Sequence, residues 1–253
     1  MNVTFLGTGT SQGVPVIGCS CEVCQSLDFR DKRLRTSLHI HVDGQSIVID
    51  TGPDFRQQML REQIARLDAV IFTHAHRDHT AGLDDVRAYN FLQEMNMPVY
   101  GSSATLDQLK IEYAYAFSGH NYPGIPRLTL KKIGDEAFTI NGTSILPLPV
   151  LHLQLPVFGF RIKNFSYITD AKFIPDETLE RMRGTEVLVL NALQRDAHIS
   201  HFNLDEALKV VEIINPKRAF FTHISHRLGT HRDVTEELPD HVSLAFDGLQ
   251  IEL

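Results

Sequence analysis

Short apolar runs without a polar break recur along this chain, separated by stretches of helical periodicity. Ala69-Val70-Ile71-Phe72-Thr73, Glu186-Val187-Leu188-Val189-Leu190 and Arg218-Ala219-Phe220-Phe221-Thr222 are rich in β-branched, aliphatic and aromatic residues. They are too short for helices, and each predicts a buried strand. The chain also opens directly on a strand-like segment, Met1 to Gly7. Residues 36–42 and 45–51 flank Asp43-Gly44, the strongest short hairpin signal. Further strands are expected over residues 128–133, 138–148, 158–162, 166–169, 243–246 and 249–253. Helices are expected over 54–62, 80–92, 105–116 and 175–183, with Leu83, Val86, Ala88 and Phe91 on the inner face of the second. Asn203-Leu204-Asp205-Glu206 starts another helix in capping-box fashion. Its Leu204, Ala207, Leu208 and Val211 keep helical spacing until Pro216 ends it. Strands, helices, strands and helices in that order are satisfied by an α/β arrangement of two sheets packed face to face with helices outside.

Composition supports one folded unit, residues 1–253. Of these residues 43% are hydrophobic and 22% charged, ordinary for a domain that buries a core. The formal net charge of -7 disfavours an extended nucleic-acid surface. A local basic site, or metal ions that supply positive charge themselves, remains compatible with a phosphate ligand. No apolar run approaches the ~20 residues of a membrane span. The first residues lack a basic region followed by an apolar stretch, so a cytoplasmic protein is expected.

The chemistry concentrates at strand ends. Directly after the 69–73 run come His74-Ala75-His76-Arg77-Asp78-His79, three imidazoles and a carboxylate within six residues. Such residues ligate Zn, Mn or Fe, and alternate residues of a turn can face two ions, so the string reads as the core of a two-metal hydrolytic site. The other runs end alike. Phe221-Thr222 leads to His223, Ile168-Thr169 to Asp170, and Val150-Leu151 to His152. A strand-end Asp alone is often only a turn or helix cap; the joint appearance is what points to a shared cluster at one rim, with a carboxylate as natural bridge. Asp50, at the end of Ile49, either binds metal or orients a ligating His from behind, and the second role is favoured. Gly7-Thr8-Gly9-Thr10-Ser11-Gln12-Gly13 is a tight turn, not a P-loop, because no Gly-Lys-Ser/Thr comes after it. All three cysteines, Cys19, Cys21 and Cys24, lie within six residues. An odd count argues against a disulfide framework; the spacing fits a zinc site that lacks one ligand from elsewhere.

Taken together, Thr73-His74-Ala75-His76-Arg77-Asp78-His79-Thr80-Ala81-Gly82-Leu83, the Pro15 to Cys24 segment, Thr222-His223-Ile224-Ser225-His226 and Phe246-Asp247-Gly248 resemble the metallo-β-lactamase-fold hydrolases, and among them the PhnP-type phosphodiesterases. The resemblance implies an αββα sandwich with a dinuclear site at one edge. It implies one ion on His74, His76 and His152, a second on Asp78, His79 and His223, and Asp170 bridging them. It further implies a structural zinc on Cys19, Cys21, Cys24 and His226. His201 matches the family's histidine near the substrate, taken as general acid, with His198 as a neighbouring competitor. Phe160 stands where relatives commonly have Tyr, and the loops around Arg77, Gly119-His120-Asn121-Tyr122 and Arg227-Leu228-Gly229-Thr230 depart from the family pattern.

The expected activity is hydrolysis of a small phosphodiester, a ribosyl 1,2-cyclic or nucleoside 2′,3′-cyclic phosphate. A water or hydroxide between two divalent ions (Mn or Zn, with Fe also admitted) would attack phosphorus. Asp78 and His201 are the residues assigned to catalysis. A homodimer is compatible with the sequence. The nearest rival is a tRNA 3′-processing nuclease, which needs a basic or flexible exosite. A β-lactamase, a cofactor-biosynthesis relative and a non-catalytic metal-binding sensor rank lower, because the metal loop is intact and the rim is an open centre.

Overall fold

The computed structural model describes residues 1–119, 122 and 124–253. Its strands are β1 (Asn2–Gly7), β2 (Ser37–Val42), β3 (Gln45–Ile49), β4 (Ala69–Ile71), β5 (Met97–Gly101), β6 (Leu128–Lys132), β7 (Phe138–Ile140), β8 (Thr143–His152), β9 (Leu155–Ile162), β10 (Phe165–Ile168), β11 (Val187–Asn191), β12 (Arg218–Thr222), β13 (Val242–Leu244) and β14 (Gln250–Glu252). They form two seven-stranded sheets, ordered β14-β1-β2-β3-β4-β5-β6 and β13-β12-β11-β10-β9-β8-β7. Each sheet is mixed. β3, β4, β5 and β6 run parallel in the first; β10, β11, β12 and β13 do so in the second.

Burial explains why the central strands read as unbroken apolar runs. Ile47 and Ile49 of β3, Ala69 and Ile71 of β4, Val187 and Val189 of β11 and Phe220 of β12 share one core between the sheets. The alternate residues turn outward. Val48 and Val70 join Phe55, Leu83 and Leu106 under the helices of the first sheet, while Leu188, Leu190, Ala219 and Phe221 join Leu204, Ala207 and Val211 under those of the second. Both faces of each strand are therefore covered, and the period of two is hidden within a wholly apolar string. The layers are helix, sheet, sheet, helix, the αββα sandwich that the resemblance implies.

The structure departs from the sequence expectations in several places, among them β5 at Met97–Gly101, where no strand is expected. Residues 138–148 form two strands, because Asn141 (φ +45°) and Gly142 (φ +94°) make a hairpin turn between β7 and β8. Residues 80–92 are not one helix. The chain makes a turn at Arg77–Thr80, a 3₁₀ segment at Leu83–Val86 and a helix at Arg87–Leu92. The tighter 3₁₀ winding rotates the face that the next helix presents. Leu83 and Val86 are buried as expected, but Tyr89 takes the inward place and Phe91 is 58% exposed. Helix His231–Glu237 falls where the periodicity had marked nothing.

Candidate metal centre

The parallel strands bring their C-terminal ends to one edge, where their exit residues gather. Asp50 after β3, Asp170 after β10 and His223 after β12 adopt φ of +64°, +56° and +56°. Left-handed backbone is uncommon for such residues and persists only where surroundings over-determine it, often at functional sites. Here the surroundings do so. The Asp50 carboxylate accepts from Thr73 N (2.9 Å), Thr73 Oγ1 (2.8 Å) and His79 Nδ1 (2.7 Å). Asn191, at the end of β11, clamps the turn after Asp170: its Oδ1 accepts from Ala171 N (2.8 Å) and its Nδ2 donates to Ala171 O (3.0 Å). The histidine loop is drawn onto the β3 exit by Thr51 N to His79 O and Gly82 N to Thr51 O, both 2.8 Å. A Cβ on Gly52 would overlap the Asp78 carbonyl, and one on Gly82 the Gly52 carbonyl, so this approach requires glycine at both positions.

The imidazoles are oriented from behind. His79 Nδ1 contacts Asp50, His152 Nδ1 lies 2.8 Å from Ser200 O and His74 Nδ1 2.9 Å from Thr73 Oγ1. The opposite nitrogens point inward. His74 Nε2, His79 Nε2 and His223 Nε2 are buried with no hydrogen-bond partner among the described residues. They converge on carboxylates instead: His79 Nε2 is 3.2 Å from Asp170 and 3.3 Å from Asp78, His223 Nε2 3.2 Å and 3.8 Å from the same pair. Several buried donor atoms aimed at one space and bonded to nothing fit cation ligation, with Nδ1 partners fixing the His74, His79 and His152 rings, whereas His223 Nδ1 has none among the described residues.

Donor atoms within 4.8 Å of one another group as His74, His79 and Asp170; Asp78, His79 and His223; and His152, Asp170 and His201. Asp170 is shared by the first and third of these groups. The tight groups do not reproduce the expected set of His74, His76 and His152. Those three rings are adjacent, with centroids 4.5, 5.3 and 6.0 Å apart, but His76 is exposed and belongs to none of the tight groups. His201 Nε2 lies 3.1 Å from Asp170 Oδ1, and the His198 ring is 5.1 Å from that of His201.

Charge is set by this packing. Burial alone would raise the Asp170 carboxyl, yet His223 and His79 hold it well below the usual carboxylate range. Burial would likewise lower His79, but Asp170, Asp50 and Asp78 raise it well above an ordinary imidazole. Asp78 is depressed by His79 against its own burial. His74 and His76, farther from the carboxylates, are lowered chiefly by burial.

A second cluster lies on the neighbouring loop. His226 Nδ1 sits 3.3 Å from Cys19 Sγ, 3.3 Å from Cys21 Sγ and 3.5 Å from Cys24 Sγ. A tetrahedral zinc with bonds of ~2.3 Å to sulfur and ~2.1 Å to nitrogen sets those ligands about 3.6 Å apart, so the spacing fits. Burial pushes the Cys24 thiol up to about 11, whereas a backbone amide donated from Cys24 brings Cys21 down to about 6.

Sequence reasoning favoured a place for Asp50 behind a histidine of the loop, and its carboxylate faces His79 Nδ1 at 2.7 Å. It missed Thr73, Asn191 and the Ser200 carbonyl. Thr73 recurs as Thr169 and Thr222 before the other exit residues, a signal the sequence does carry. Of the loop around Gly119, the residues His120, Asn121 and Pro123 lie outside the described residues.

A model of the beta-lactamase superfamily domain matches residues 45–224. A crystal structure described as a new diphosphatase from the PhnP family superposes with a TM-score of 0.94 and 40% identity, covering 100% of this chain and 96% of that one. Among curated proteins, an octanoyltransferase of Porphyromonas gingivalis is 39% identical over 253 residues, 99% of this chain and 51% of its own length. Ribonuclease Z of Bradyrhizobium diazoefficiens is 30% identical over 162 residues, 62% of this chain and 48% of its own. The chain thus spans about half the length of these curated relatives. Among the described residues no helix is long and apolar enough to cross a membrane.

Proposed function

The chain belongs to the beta-lactamase superfamily as a hydrolase close to the PhnP family, and from that premise we propose that it is a metal-dependent phosphodiesterase acting on a small diester, of which cyclic ribosyl phosphates are the first candidates. The observation that carries this reading is the convergence of unpartnered His74, His79 and His223 nitrogens on Asp170 and Asp78. In this reading His74, His76 and His152 hold one divalent ion, Asp78, His79 and His223 hold another, and Asp170 serves both. Cys19, Cys21, Cys24 and His226 hold a structural zinc. Mn and Zn both suit the nitrogen and oxygen donors of the rim.

Two ions bound there would supply an activated water at neutral pH and positive charge against the phosphoryl oxygens. The remaining work falls to side chains. Asp50 keeps the His79 ring fixed, and the Ser200 carbonyl does the same for His152. His201 protonates the departing alkoxide. Burial lowers its imidazole to about 4 despite Asp170 beside it, so it takes up its proton from solvent as the anionic substrate, whose charge favours the imidazolium, is bound.

The test uses protein stripped of metal and reloaded with Mn or Zn. Bis-p-nitrophenyl phosphate should be cleaved only with metal, and p-nitrophenyl phosphate not at all. No cleavage at full metal occupancy overturns the reading. The ribonuclease Z relative supports a second reading, tRNA 3′ processing. Release of the trailer from a precursor tRNA, at a rate above that on cyclic ribosyl phosphates, would favour it.

A further inference from the structure

The outer face of the first sheet changes character along its strands. Near the rim, Leu6 and Val48 lie under the helices. At the opposite end the face is polar. There Leu38, Ile40 and Val42 of β2 point into the core between the sheets, so the alternate residues His39 and His41 stand together on the outer face. His41 pairs across the strands with Asn2 of β1 and with Ser46 of β3. The end of helix Phe55–Arg61 and the loop after it wall this face into a cavity of about 430 Å³, whose lining includes His39, His41, Ser46, Asn2, Glu62 and Gln250. Ser46 lies near the start of β3, whose other end leads into Asp50. Four residues of strand, about 13 Å, therefore separate the cavity from the rim.

The two imidazoles differ in how they are held. Ser46 Oγ donates its one proton to Arg66 O at 2.6 Å, so it accepts from His39 Nε2 at 2.8 Å. That bond fixes the ring and its tautomer and leaves the lone pair on Nδ1. The same device operates in the rim, where Asp50 faces His79 Nδ1. His41 is exposed and has no hydrogen bond or ion pair among the described residues. Same-side neighbours on a strand are ~6.7 Å apart, a gap that two imidazoles leaning toward one ion close with metal–nitrogen bonds of ~2.0 Å. The charge around them does not repel a cation. The Arg66 guanidinium on the wall is paired with Asp68 at 2.8 Å, and Glu62 contributes a carboxylate to the lining.

We propose that His39 and His41 form a third metal site, a two-imidazole chelate for a divalent transition-metal ion, separate from the rim and from the thiol loop. Copper(II) is the ion that suits it best. It binds nitrogen donors more strongly than the other divalent ions of its row, and its tetragonal geometry is completed by amide, carboxylate or water oxygens. The rim and the thiols use convergent buried donors, whereas this pair lies open on a sheet face, so its ion exchanges without unfolding. The site does not depend on the phosphodiesterase reading.

The test uses protein whose rim and thiol loop are first loaded with zinc. One equivalent of copper(II) is added, and the copper is followed by electron paramagnetic resonance while zinc is counted by elemental analysis. The wild type should bind the copper with no loss of zinc and show coupling to two imidazole nitrogens. His39→Gln and His41→Gln should each reduce that coupling to one nitrogen and weaken copper binding by at least about tenfold. Ser46→Ala keeps both ligands but frees the His39 ring, and should weaken binding by ~10–100-fold. Its melting temperature, measured alongside, separates a freed ring from a damaged strand. Cleavage of bis-p-nitrophenyl phosphate by zinc-loaded His41→Gln should equal that of the wild type. Copper that enters only as zinc leaves, a spectrum unchanged in both histidine variants, or no copper bound at all overturns the proposal. A two-nitrogen signal in a protein that cleaves no diester supports the site and sinks only the phosphodiesterase reading.

Discussion

Two donor clusters meet at one stretch of chain, residues 223–226, and they solve opposite problems. His223 enters the rim directly after β12, and His226, three residues later, turns to the thiols. The rim is assembled from the ends of distant strands and is over-determined by buried groups: Asp50, Thr73 and Asn191 hold its turns. Its inward nitrogens are left without partners. The thiol cluster has the reverse construction. Three of its potential donors come from one short loop, and the fourth, His226 Nδ1, lies 3.3 to 3.5 Å from all three thiols. An open set of ligands suits chemistry, and a closed one suits cross-linking. The closed cluster ties the loop at residues 19–24 to the segment that also carries His223, so the scaffold of the rim includes the second site.

The difference is broken most severely at Asp170. Asp170→Ala should abolish diester cleavage and rim metal content together, while one zinc per chain persists on the thiols. Elemental analysis after gel filtration checks this. Loss of both kinds of metal would mean that the two clusters are one cooperative unit.

His201→Ala should leave both metal contents intact and lower turnover by ~10²–10⁴ on diesters with alkoxide leaving groups, the usual scale for a lost general acid. Bis-p-nitrophenyl phosphate, whose leaving group needs little protonation, should suffer far less. An equal loss on both substrates removes His201 from that role.

Asp50→Asn probes orientation. The amide keeps the shape but weakens the acceptor facing His79 Nδ1, and loss of such a partner typically costs ~10–100-fold in metal affinity or activity. Competition with a chelator should show the rim weakened and the thiol zinc unchanged.

Cys21→Ser acts on the other side. Without a complete ligand set the structural metal no longer contributes folding energy, and the melting temperature should fall by roughly 5–15 °C, a few kcal/mol for a chain of this size. A melting curve that does not move would show that the loop holds without its ion.

How much of this contrast is legible in the sequence depends on range. The candidate ligands sit at ends of apolar runs, so local pattern exposes His74, Asp170 and His223 together with the strands that deliver them. The Cys19, Cys21 and Cys24 spacing is local as well. What escapes is what only tertiary packing decides. Asn191 looks like any residue ending a strand until β10 and β11 pair and bring Ala171 to it. The grouping of His74 with His79 and Asp170, rather than with His76 and His152, depends on how the two sheets approach. The shifted face at Tyr89 arises from a 3₁₀ turn that hydrophobic periodicity does not distinguish from an α-helix.

The smallest expected effect concerns the polar layer beneath the thiol loop. His231 N donates to Asp31 Oδ1 at 2.7 Å, and Ser26 Oγ to Asp31 Oδ2 at 2.6 Å, so helix His231–Glu237 and the loop just after Cys24 share one carboxylate. Burial, then Arg33 and Arg30, lower the His231 imidazole to about 4. In the unfolded chain it titrates near ~6.5. A histidine depressed by folding adds stability that is fully present above pH ~6.5 and is lost as pH falls toward ~4, because the unfolded state takes up the proton first. Asp247 opposes it in part of that window. Burial raises its carboxyl to about 6, so its contribution grows as pH falls from about 6 toward the unfolded value of ~3.9. The wild-type curve alone therefore mixes two signs, and the useful quantity is the difference from His231→Gln, which retains an acceptor for Arg33 but does not titrate. Urea unfolding at pH 7 and pH 4.5 should show the wild type losing about 2 kcal/mol more than the variant, a value reduced for solvent screening. Parallel losses would show that His231 titrates alike in the folded and unfolded states and would move the acid sensitivity of the thiol side to other groups.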